Sequence, residues 1–181
     1  MDQTLKSVIE EIGKKSLRSS IITTAAIIDV MLEKLLKKYF VDSSDFKDLF
    51  SGQGPLSTFS AKIKISYALG LISKELRDDL NLYRKIRNKC AHDIVINTDT
   101  KECIANLSNN FQLWKKVFRV GANEDLQIYT SLEFMVIFIC LIKRINNVER
   151  LSAFPMEVHD NYLGLDKSDN DFLSNFGSAI K

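Results

Sequence analysis

An all-α, single-domain helical bundle is the fold class this sequence predicts, and three observations carry it. Apolar residues recur at three- and four-residue steps along most of the chain. With 7 Gly and 2 Pro in 181 residues, punctuation is too sparse for many short strands. A hydrophobic content of 45% at this length suffices for one full core.

Residues 4 to 40 carry Leu5, Val8, Ile9 and Ile12, then Ile21, Ile22, Ala25, Ile28, Leu32, Leu35 and Leu36. That spacing predicts one long helix, or two with a break near Gly13. Asp42-Ser43-Ser44-Asp45 interrupts it and supplies caps for a short turn over residues 46 to 50, after which Gly52, Gly54 and Pro55 form a rigid connector. Ser57 or Thr58 caps a helix running to about Leu69, and Gly70 stands where a left-handed position is needed. Ser73 opens the following helix, about residues 74 to 90, with Leu76, Leu80, Tyr83 and Cys90 on one stripe.

Arg87 falls on that stripe too, within about 20° of Leu76 around the axis at roughly 100° per residue. It is therefore expected to be buried, and a buried guanidinium needs carboxylates, carbonyls, an aromatic face, a second subunit or a bound anion. Residues 93 to 96 read as extended or irregular, and Asn97-Thr98-Asp99-Thr100 caps a helix over about residues 101 to 119. A last helix, about 126 to 151, holds the most apolar run, residues 132 to 142. That run contains Glu133 and falls short of the roughly 20 residues a bilayer span needs. It predicts a core helix buried on every side, or partly against a second subunit. Phe154-Pro155 ends the regular body.

The expected organisation is a helical domain over residues 1 to 156 and an acidic, flexible tail over 157 to 181. The tail holds two basic and five acidic residues, so it is −3 and the remainder +5 within the overall +2. Such a body permits a basic patch without demanding one, which leaves DNA or RNA as allowed partners that charge alone does not argue for. Cys90, Cys103 and Cys140 lie far apart, so neither a metal knuckle nor a disulfide framework is suggested and reduced thiols are expected. No cofactor or metal is expected. The opening residues lack a basic region followed by an apolar core, which points to a cytoplasmic protein with no membrane partner.

The informative polar cluster is Arg84-Lys85-Ile86-Arg87-Asn88-Lys89-Cys90-Ala91-His92. Arg84, Arg87, Asn88 and His92 form either a structural lock or an anion-handling site. In the structural reading Asn88 and His92 cap the last carbonyls of the helix and Arg87 ties neighbouring helices together. Four residues separate Arg87 from His92, a spacing that resembles the RxxxxH motif of HEPN-type helical ribonucleases, which act without metal. There His92 would move the proton of a ribose 2′-hydroxyl and Arg87 would stabilise charge at phosphorus. Five steps of unbroken helix set the two side chains about 140° apart, so convergence requires the helix to end between them or a partner subunit to contribute. The block from Gly54 to Ile72, with its turn at Gly70-Leu71-Ile72, can also be read as the first half of a helix-turn-helix, but Glu75, Asp78 and Asp79 give the second helix the wrong sign for phosphates.

Two blocks, Gly54-Pro55-Leu56 with Phe59-Ser60-Ala61-Lys62-Ile63 and Tyr67-Ala68-Leu69-Gly70-Leu71-Ile72, then Arg84-Lys85-Ile86-Arg87-Asn88, resemble the bacterial mannitol operon repressor family. The resemblance covers about residues 20 to 145 and departs from the family pattern at Cys90, where an aromatic residue is expected. It implies an all-α fold, self-association, and a transcriptional regulator without a recognisable DNA-binding motif, acting through another regulator or by non-motif DNA binding. Two alternatives stand beside it: the metal-independent ribonuclease, and a helical scaffold with neither activity.

Overall fold

The computed structural model describes residues 16 to 93, 95 to 118 and 125 to 152, and contains seven helices and no strand among them. α1 (Leu17–Tyr39) starts at Ser16, whose hydroxyl accepts the N–H of Ser19, and ends with Lys37 and Lys38 near the negative end of its dipole. The predicted stripe is its buried face: Ile21, Ala25, Ile28, Leu32, Leu35 and Leu36. The expected break at Gly13 lies outside the described residues. α2 (Phe46–Phe50) is the predicted short turn, and Phe50 enters the core.

The connector to α3 (Phe59–Ala68) folds back on α2. Leu56 N–H donates to Leu49 O at 2.9 Å and Gly54 N–H to Ser51 O at 2.9 Å. A β-carbon at position 54 would collide with the carbonyls of Asp48 and Leu49, so only glycine fits this approach. Of the two predicted caps Thr58 is the one used, accepting the N–H of Ala61 at 3.1 Å. Gly70 adopts φ +67°, the left-handed turn the sequence predicts, and Ser73 caps α4 (Lys74–His92).

α4 packs against α1, α3, α5 (Thr98–Ser108) and α6 (Leu113–Phe118), while α7 (Leu126–Asn147) packs against α1, α5 and α6. All seven fall within one compact unit that ends at Leu151. The single helix expected over residues 101 to 119 is thus two. Asn109 and Asn110 are poor helix formers, and the buried Asp79 of α4 captures the freed N–H groups of Gln112 at 2.9 Å and Leu113 at 2.8 Å, fixing the break. Tyr83 and Phe111 then stack at 6.1 Å, and Trp114 meets Tyr129 edge-on at 4.3 Å.

α7 differs from expectation in two ways. Flanking residues carry the helix to 22 residues, so by length and composition alone it could cross a membrane. Nor is it buried on every side: Tyr129, Glu133, Phe134, Val136, Ile137 and Leu141 are, while Ile128 and Ile142 are exposed. The tail expected over residues 157 to 181 lies outside the described residues.

Candidate functional site

The two sequence blocks meet at one cleft of about 430 Å³ between α1, the start of α3 and α4. Gly54 holds the connector against α2, and that placement brings Ser57, Thr58, Phe59 and Ser60 to one wall. Arg84, Arg87 and Asn88 of α4 form the opposite wall, and α1 contributes Ile22, Ala25, Ala26 and Asp29. Three of the four predicted cluster residues are thereby gathered. His92, the last residue of α4, is exposed and does not line the cleft.

Arg87 corrects the expectation of a buried guanidinium. It is exposed, and its Nη1 donates to Asn88 Oδ1 at 3.1 Å. The buried stripe of α4 runs through Leu76, Asp79, Leu80, Tyr83, Ile86 and Cys90, so Ile86 takes the place assigned to Arg87. Opposite Arg87 stands the cleft and not a packed helix. Arg84, three residues earlier on the same face, is half-buried, and its Nε is buried without a hydrogen-bond partner. Neither arginine has an ion-pair partner among the described residues.

Among the described residues the buried cation is Lys62 on α3, 3% exposed. Its ammonium lies 3.1 Å from Asp29 and 3.0 Å from Glu33, one turn apart on α1. Burial alone would raise the Glu33 carboxyl, but hydrogen bonds from Lys37 and Lys62 hold it below the ordinary carboxylate range. Two signals in the sequence mark this trio: Lys62 sits in step with Phe59, Ile63 and Ser66, and Asp29 and Glu33 are the acids of α1, four residues apart.

A second polar centre was also hidden in apolar sequence. Glu133 of α7 and Asp79 of α4 are both fully buried. Burial raises both acids, Glu133 to about 9 with the charge of Asp79 adding to it, while the N–H groups of Leu113 and Gln112 offset part of the effect at Asp79. Glu133 therefore holds a proton at neutral pH, and the carboxyl oxygens of Asp79 accept the N–H groups of Gln112 and Leu113 at the start of α6. Cys90 is buried and its thiol is pushed up to about 11 by that burial, which makes it a packing residue of low reactivity.

The turn that a helix-turn-helix would leave free is tied down. Arg144 of α7 donates to Leu71 O at 2.9 Å, and Leu71 and Ile72 are buried. α4 packs against four other helices, and its Glu75 and Asp78 carry the wrong sign for the phosphates beside a major groove.

Comparison with known proteins places these features in context. The family model described as MtlR, mannitol repressor, matches residues 4–134. The mannitol operon repressor of Escherichia coli strain K12 is 30% identical over 84 residues, which are 44% of this chain and 43% of that protein. A second Escherichia coli strain gives the same match, so the aligned part spans less than half the length of these relatives. Among solved structures, the X-ray structure of the MtlR–HPr complex from Escherichia coli matches with a TM-score of 0.56 at 21% identity, covering 80% of this chain and 98% of that one. That likeness is one of fold.

Proposed function

This chain belongs to the mannitol repressor family, and we propose from that premise that it is a cytoplasmic transcriptional regulator acting through protein contacts. The observation that carries the reading is the fold likeness to nearly the whole length of an MtlR chain that was crystallised with the protein HPr. The tethered Gly70-Leu71 turn and the acids Glu75 and Asp78 of α4 support contacts with proteins over direct reading of bases. An HPr protein is the partner we assign, with a second copy of the chain as the other contact.

Calorimetric titration of the purified chain with HPr from the same genome should show saturable binding. Absence of binding by a chain that remains folded would overturn the protein-contact route. A salt titration of operator DNA binding separates the direct route: a steep fall of affinity with salt would mean that several phosphates are contacted and would favour it.

The ribonuclease reading keeps one supporting observation, the exposure of both Arg87 and His92. α4 continues unbroken to His92, so the two leave its axis about 140° apart and a working pair would need a second chain. Labelled RNA incubated in EDTA should stay intact with the parent chain; cleavage that disappears in His92→Ala would reverse this ordering.

A further inference from the structure

We propose that the cleft between α1, α3 and α4 binds a small phosphorylated metabolite with a hydroxylated carbon skeleton, its phosphate held by Arg84 and Arg87. The assignment goes beyond the regulatory reading and does not depend on it. Two guanidinium groups at positions three apart share one face of α4, line the same cleft and have no carboxylate partner among the described residues. Surface arginines need no partner, but Arg84 is half-buried and its Nε is shielded from water with nothing to bond. A buried donor left unpaired costs free energy that a bound anion would return.

The opposite wall has matching chemistry. α3 begins there, and its first N–H groups, at Phe59 and Ser60, have no acceptor one turn back. Thr58 caps the N–H of Ala61 and leaves those two available. An oxyanion between the walls would meet a fork of guanidinium donors on one side and the positive end of a helix dipole on the other. Asp29 also lines the cleft and opposes an anion, but the ammonium of Lys62 at 3.1 Å offsets its charge.

Size and lining select the rest of the ligand. At about 430 Å³ the cleft is within the range of small-molecule sites and exceeds what one phosphate fills. Ile22 and Ala25 supply apolar wall, while Asn88 and Ser57 supply hydrogen-bonding groups, a mixture that suits a short carbon chain bearing hydroxyls.

The test is calorimetry on the full chain at constant ionic strength with glycerol 3-phosphate, inorganic phosphate and glycerol as probes. Glycerol 3-phosphate should bind saturably and more tightly than inorganic phosphate, and glycerol should not bind. Arg87→Gln, at an exposed position that leaves folding intact, should weaken glycerol 3-phosphate by roughly tenfold or more, the loss of a charge-assisted contact. Ser60→Asp puts a carboxylate where a helix start tolerates it, so the melting temperature should hold while binding disappears. No saturable binding of glycerol 3-phosphate up to about 10 mM, or unchanged binding by both variants, would overturn the phosphate site. Inorganic phosphate binding as tightly as glycerol 3-phosphate would overturn the metabolite assignment.

Discussion

Lys62 lies in the packed layer at 3% exposure, while its acids Asp29 and Glu33 keep 30% and 27% of their side chains in water. Removing the ammonium therefore strands Asp29, which is partly hydrated, while Glu33 keeps Lys37 at 2.7 Å. Lys62→Ala should cost about 2 kcal/mol, below the 3–5 kcal/mol of fully buried pairs, as read from urea unfolding. Glu133 makes a prediction in pH. Its folded value of about 9 lies above the ordinary 4.5, so its contribution is fully present below pH 4.5 and is lost as pH rises toward 9. Glu133→Gln cannot ionise and has nearly the same volume. It should exceed the parent in stability by about 1 kcal/mol or more at pH 8, with the gap closing near pH 4. A gap that does not change with pH would show that Glu133 is ionised in the folded protein.

Among elements, the connector between α2 and α3 positions the cleft. Gly54→Ala pushes a methyl group into the carbonyls of Asp48 and Leu49, so the connector must lift and carry the start of α3 with it. The expected loss is about 1–3 kcal/mol of stability in thermal unfolding, in the range for overpacked sites, together with weaker binding of glycerol 3-phosphate. The break between α5 and α6 depends on Asp79 in the same way. Asp79→Ala should cost about 1–2 kcal/mol as a lost cap and speed hydrogen exchange at the amides of Gln112 and Leu113. Caps such as Thr58, Ser73 and Asn97 were readable because each is a local pattern, a side chain that accepts an N–H from the first turn that follows it. The division after Ser108 was not, since the group that stabilises it comes from a residue 33 positions earlier.

At the scale of the whole molecule, α1 and α7 leave an apolar groove where Val30 and Ile142 stand exposed. Self-association would bury these residues, and Val30→Asp combined with Ile142→Asp should then lower the solution mass measured by light scattering without unfolding the chain. An unchanged mass would exclude this face from the contact. Packing also explains why Arg87, expected to be buried, is exposed while Lys62 is buried. A helical wheel gives the angle of a side chain about its own axis, but not whether a neighbouring helix covers that angle at that height. Opposite Arg87 the neighbouring α3 is only beginning, and the space is the cleft; opposite Lys62 lies the middle of α1.

Sequence by itself determined most of the helices, several of their caps, the left-handed turn at Gly70 and the gathering of Arg84, Arg87 and Asn88 on one helix, because those follow from neighbours within one or two turns. Tertiary structure alone decided that Lys62 is buried and Arg87 is not, that the two acids Glu133 and Asp79 are buried together, and that the blocks around residues 57 to 60 and 84 to 88 form opposite walls of one cleft. Each of those depends on residues far apart in the chain, whose solvation and electrostatics exist only once the helices have packed.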